Sequence, residues 1–353
     1  MRHLYSKVCF PLRSSVKSMR LEPILKKYIA DILKVIIVIS ILWWLVKQGR
    51  LDVSTLKLLL TRADIFLLNF ILWLTGAIVC STLRWQAILQ GMRVNIPYKD
   101  ALRLTMIGLS FNSFMPGAVG GDFVKAYYVC RKASVSKTPA LLSILLDRII
   151  GLYVILLMAG LVNLYASQAN LGHLSSLIWL NTTLLITMTI FFVIIFLPSA
   201  NRENYFLKVL DKNYLGFSYL KKIYLSTRLL KETPSSFIKA LSYSLLFQIQ
   251  FLFFFFYITK TVHNGPVDFT TLANIYSIGS LSLAIPISPG GLGVGHAVYE
   301  KLLITVGISQ GANIYNLMFI GQMSFNLLGF IPYLMMKNRN SQKVSYKQKL
   351  EES

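Results

Sequence analysis

Two short stretches of this chain combine proline, glycine and a few charged or polar groups inside long apolar surroundings. The first is Phe111–Asp122, with Asn112, Pro116, Gly117, Gly120, Gly121 and Asp122. The second is Ile285–His296, with Pro286, Pro289, Gly290, Gly291, Gly293, Gly295 and His296. A proline lacks the amide proton that a helix needs and disfavours helical geometry in the residue before it. Glycine permits positive φ and close backbone approach. A helix that restarts after such a break turns free N–H groups and the positive end of its dipole toward the gap. That arrangement attracts phosphate or carboxylate. The opposing reading is a glycine-lined kink that only lets helices pack closely.

Charged residues gather near the same places. Asp122, Asp147 and Glu300 are the three acidic residues in or beside apolar segments, and Arg148 joins them. A charge at mid-bilayer costs about 2.5–3.5 kcal/mol on insertion scales, so such residues face a cavity or a partner. Asp147 and Arg148 are consecutive, about 100° apart on a helix, which favours partners on other helices. Asp122 suits a helix N-cap, and Lys125 lies three residues on, within reach of Asp122 or of a lipid phosphate. His296 and Glu300 share a helix face at i and i+4. His296 serves either proton handling or hydrogen-bonded packing.

These groups sit in a chain of 353 residues that is 55% hydrophobic and only 14% charged, with a mean hydropathy of +0.58. A soluble chain carries about a quarter charged residues. Apolar runs long enough to cross about 30 Å of hydrocarbon recur along it, so the expected class is an all-α polytopic membrane protein. The net charge of +22 is concentrated outside those runs. The first 34 residues hold eight basic and two acidic residues, 199–236 seven and three, and the 17 residues after Met336 five and two. This is the bias of cytoplasmic segments facing anionic headgroups. The basicity could also signal nucleic acid, but no soluble reading module is present, so none is expected. Cys9, Cys80 and Cys130 form no metal or disulfide pattern. No cofactor and no metal are expected.

The expected spans are Tyr28–Val46, Ile65–Leu83 closed by Arg84 and Trp85, Ala140–Ala166, Leu177–Leu197, Phe237–Ile258 and Ile314–Met336. Leu51–Thr61 reads as an interfacial helix, and Leu104–Gly121 and Phe269–Val298 carry the two breaks. With both termini cytoplasmic the number of crossings is even. Six full spans plus two re-entrant segments in an inverted repeat satisfy this, and eight spans are the alternative. Basic segments at 1–27 and 337–353 flank an integral membrane domain at 28–336, with Met1 or Met19 as the start.

Taken together, Asn112, Pro116-Gly117, Gly120-Gly121-Asp122, then Leu146-Asp147-Arg148 with Gly151, then Ser288-Pro289-Gly290-Gly291-Leu292-Gly293 resemble the signatures of the lysylphosphatidylglycerol synthase membrane-region family. Arg84-Trp85 fits the same pattern. The resemblance implies an inner-membrane protein that translocates a lipid or another anchored amphiphile. It also implies no lysyl transfer, since no soluble catalytic domain is seen, and it would place an acidic residue where His296 stands. Membrane lipids are the expected partners. Two other options stay open: a membrane-embedded lipid-modifying enzyme, or a subunit delivering lipid to a separate synthase or glycosyltransferase.

Overall fold

The computed structural model describes residues 47, 57, 61–114, 120–132, 137–165, 175–196, 229–263, 265–284 and 291–336. The chain divides into Met1–Leu51 and Asp52–Ser353. The helices whose bounds are given below lie in the second unit. The expected first span, the basic segments at 1–27 and 337–353, and Pro116, Gly117, Pro289 and Gly290 lie outside the described residues.

Among the described residues the protein is all-helical. The helices are α1 (Ala63–Gly91), α2 (Tyr98–Phe114), α3 (Gly120–Lys132), α4 (Lys137–Tyr165), α5 (Ser175–Phe196), α6 (Pro234–His263), α7 (Phe269–Leu283), α8 (Val294–Ile304) and α9 (Gly311–Met336). Five of them, α1, α4, α5, α6 and α9, are long and apolar enough to cross a membrane. This is a polytopic membrane protein. The other four are shorter, at 17, 13, 15 and 11 residues, and they pack as the pairs α2–α3 and α7–α8.

One boundary departs from expectation. Arg84 does not end a helix, because α1 runs on to Gly91. An arginine in an apolar run reads as the membrane edge only when water must solvate it. Here the guanidinium is bonded to a carboxylate inside the protein, so the helix continues with Trp85, Ile88 and Leu89 all buried. Within α1 the stretch Trp73–Cys80 is wound as a π-helix. Gly76 there faces Gln250, Phe247 and Phe251 of α6, where a Cβ would come within 2.7 Å of the Gln250 amide oxygen.

Uncharged polar groups join the helices. Trp73 Nε1 donates to Asn326 Oδ1 at 2.9 Å, and Asn326 Nδ2 donates to Ser113 Oγ at 3.0 Å, linking α1, α9 and α2. Asn163 of α4, Asn181 of α5 and Asn274 of α7 form a second cluster. Asn274 Oδ1 accepts from both neighbours at 3.1 and 2.9 Å, and Ser277 donates to Asn181 at 2.9 Å. Little of α5 is buried within the protein, and among the described residues this amide cluster, the ring contacts of Phe192 with Tyr153 and Phe237, and the Thr189–Tyr153 hydrogen bond help to hold it.

Candidate functional site

The first broken segment is built on a close approach of α2 and α3. The Asn112 side chain accepts the Gly121 N–H at 2.7 Å. Gly121 lies so near the Gly108 backbone that a Cβ there would overlap its carbonyl. Backbone cannot yield as a side chain can. Gly121→Ala is therefore expected to cost about 1–3 kcal/mol, seen as a lowered midpoint in thermal unfolding of the detergent-purified protein. Gly108→Ala should be milder, since the nearest atom is the flexible Lys125 Cε at 3.0 Å. Equal losses would contradict this account.

That approach sets the first turn of α3 against α1 and α4, and five charged side chains meet there. Arg148 Nε donates to Asp122, joining α4 to α3. Arg84 Nε and Nη2 donate to the two oxygens of Asp147 at 2.6 and 3.1 Å, joining α1 to α4. Asp147 and Arg148 thus pair with different helices, as their 100° separation requires. Gly151, one turn beyond Asp147, leaves room for the guanidinium: a Cβ there would lie 3.2 Å from Arg84 Nη1. The same nitrogen donates to Ser244 of α6 at 3.3 Å.

Lys125 is the fifth member. It is 7% exposed, and among the described residues its ammonium has neither a hydrogen bond nor an ion pair. It lies over the Trp85 ring, 4.7 Å from the centroid, near enough to Asp122, Asp147, Arg84 and Arg148 for their charges to act on it. The Trp85 indole N–H donates to Ser143 at 3.2 Å, which holds the ring in place. Three cations and two carboxylates leave one positive charge in excess, carried by a group in contact with an aromatic face.

The second half of the expected site is arranged differently. Gly291 and Gly293 take φ of +80° and +81°, which glycine alone adopts at little cost. Their turn opens α8. The Gly293 N–H donates to His296 Nδ1 at 3.4 Å, and the Gly295 N–H to the Gly291 carbonyl at 2.8 Å. Those amides are engaged within the turn. Nδ1 accepts there, so Nε2 carries the proton toward Asn316 Oδ1 at 3.3 Å. His296 also meets the Tyr315 ring edge-on. Glu300 accepts the Ala312 N–H at 2.6 Å and so caps α9. The structure brings together Asn112, Gly120, Gly121, Asp122, Lys125, Asp147 and Arg148. His296 and Glu300 are bound into the α8–α9 packing. Among the described residues no three His, Cys, Asp or Glu side chains gather as a metal site would require.

A model of the lysylphosphatidylglycerol synthase TM region matches residues 32–315. The chain belongs to that family. A relative, the UPF0104 membrane protein PH1989 of Pyrococcus horikoshii, is 26% identical over 339 residues, covering 89% of this chain and 98% of the relative. No solved structure matches. The match of the lysylphosphatidylglycerol synthase TM region takes in α1 to α8 whole, and with them every charged member of the cluster.

Arg84, Trp85 and Ser244 are the members of this site that spacing alone did not single out as contacts. A signal for Arg84 was present: the apolar pattern resumes after it, with Ala87, Ile88 and Leu89. Trp85 and Ser244 carried none, because a buried indole and a serine in an apolar helix are ordinary packing residues.

Proposed function

We propose that this protein translocates a phospholipid or another anionic or zwitterionic amphiphile across the cytoplasmic membrane. The headgroup passes between the two broken helix pairs while the acyl chains stay in the bilayer. The observation that carries this reading is the cluster of Arg84, Lys125, Arg148, Asp122 and Asp147, with its single uncompensated ammonium. A lysine whose neighbouring carboxylates, among the described residues, are each bonded to an arginine is costly inside a membrane protein unless something anionic visits it. A lipid phosphate supplies that charge.

The helix lengths support the accompanying topology. At 1.5 Å per residue, the 11 to 17 residues of α2, α3, α7 and α8 fall short of the roughly 30 Å hydrocarbon slab. On this reading each pair enters and returns, which fits six full spans, five of them among the described residues, with two re-entrant hairpins in an inverted repeat and both termini cytoplasmic. Asp122 and Asp147 are each neutralised by an arginine and Glu300 caps a helix, so the three carboxylates do not act as one acid–base group. The weight falls on Lys125 and Arg148 as phosphate contacts, with Asn112, Gly120 and Gly121 shaping the mouth.

Reconstitution into vesicles with headgroup-labelled lipid tests the proposal. Transfer of label between leaflets above protein-free vesicles is the expected result. No transfer with any anionic or zwitterionic headgroup tried, from protein that remains folded, would rule it out.

A further inference from the structure

A cavity of about 210 Å³ lies among α4, α6, α7, α8 and α9. Its hydrogen-bonding walls are Gln248, Gln322, Ser280, Tyr276, Tyr299 and Tyr315, and among the described residues no charged side chain lines it. We infer that this cavity takes an uncharged, hydroxyl-rich group, a ring or polyol esterified to the lipid phosphate. The inference rests on the proposed lipid translocation for its phosphate anchor, and it names the class of headgroup carried.

Three observations lead there. The first is charge. Without a lining carboxylate an ammonium headgroup would be desolvated and unpaired, and without a lining cation a phosphate would be equally unsupported. Tyrosine faces can bind cations, but Tyr299 and Tyr315 are stacked on each other at 5.3 Å and 17°, which covers one face of each. The second is the free hydrogen-bonding capacity. Tyr276 donates its hydroxyl to Gln248 Oε1 at 2.9 Å, which leaves the Gln248 NH2 to donate elsewhere. Gln322 offers a donor and an acceptor together. Amides and hydroxyls beside aromatic rings suit hydroxyl groups, which both give and accept protons. The volume is below the roughly 300–1,000 Å³ of sites for drug-sized ligands, so it fits one small moiety.

The third is continuity with the charged cluster. Ser244, which accepts from Arg84, stands one helical turn before Gln248 on α6. Gly151, which faces Arg84, stands one turn before Ile155 of the cavity wall on α4. Two helices thus lead from the surroundings of Arg84 to the cavity wall in a step of about 6 Å. The phosphate then sits at the cluster, on Lys125, and its esterified group in the cavity.

Binding of three lipids with identical acyl chains to the full chain in detergent, by native mass spectrometry, tests the assignment. They are phosphatidic acid, phosphatidylethanolamine and phosphatidylinositol. Phosphatidylinositol is expected to bind about tenfold tighter than the other two, the worth of one or two net hydrogen bonds. Gln322→Leu should close that gap, and Ser280→Ala should narrow it if the first variant does not fold. Equal binding of all three overturns the assignment and leaves translocation standing. A preference for phosphatidylethanolamine overturns it in favour of a cation site. A phosphatidylinositol preference with no transfer of any lipid in vesicles keeps the assignment and removes the translocation reading.

Discussion

Asp147→Ala should destabilise the protein by about 3–5 kcal/mol, the usual cost of removing one partner of a buried ion pair. Arg84 and Asp147 side chains are only 12% and 9% exposed, and two hydrogen bonds join them. Removing the carboxylate leaves the guanidinium with Ser244 as its remaining described partner, at 3.3 Å. The fold has little room to bring water, because Gly151 and Ser244 close around it. Arg84→Ala should cost a similar amount by exposing the opposite charge. The double change Arg84→Met with Asp147→Leu should recover most of the loss, since a well-packed apolar pair replaces a buried ion pair at little net cost. Thermal unfolding in detergent reads all three. A single variant melting with the parent would show that the pair is solvated after all.

Lys125→Met should act in the opposite sense on stability and against it on function. The ammonium has no carboxylate partner of its own among the described residues, and its removal relieves a desolvation cost. Methionine keeps a similar stem against Trp85 and Gly108, so packing is retained. The variant is therefore expected to unfold at or above the parental temperature while lipid transfer in vesicles falls at least about tenfold, as loss of a charge-assisted phosphate contact implies. Lys125→Arg should retain part of the transfer. Parental transfer by Lys125→Met would remove this residue from the lipid's path.

The helices were largely readable because hydrocarbon length and apolar runs are strong constraints. Ala140–Ala166 and Phe237–Ile258 were expected, and α4 and α6 follow them within a few residues. The partners of Asp147 and Arg148 were readable only as lying on other helices. Which helix supplies Arg84 or Asp122 depends on packing that no local pattern encodes. Arg84 was misread as a helix end for the same reason: burial with a distant carboxylate changes what an arginine means. The α8 turn was legible in Gly291 and Gly293, but not the engagement of its amides by His296 and the Gly291 carbonyl. The amide cluster of Asn163, Asn181 and Asn274 escaped notice because asparagines in apolar helices carry no charge to mark them. The uncharged cavity escaped it likewise, its tyrosines and glutamines being scattered over several helices.

The sparse seating of α5 has an evolutionary corollary. With Trp179, Ile186, Ile190 and Val193 all turned outward, its outer surface is judged by solubility in lipid and not by fit to neighbours. Interchange among leucine, isoleucine, valine and phenylalanine there should pass almost unselected, whereas Asn181 can give way only to a residue that both donates to Asn274 and accepts from Ser277. Across relatives such a helix would diverge into near-random apolar text around one fixed letter.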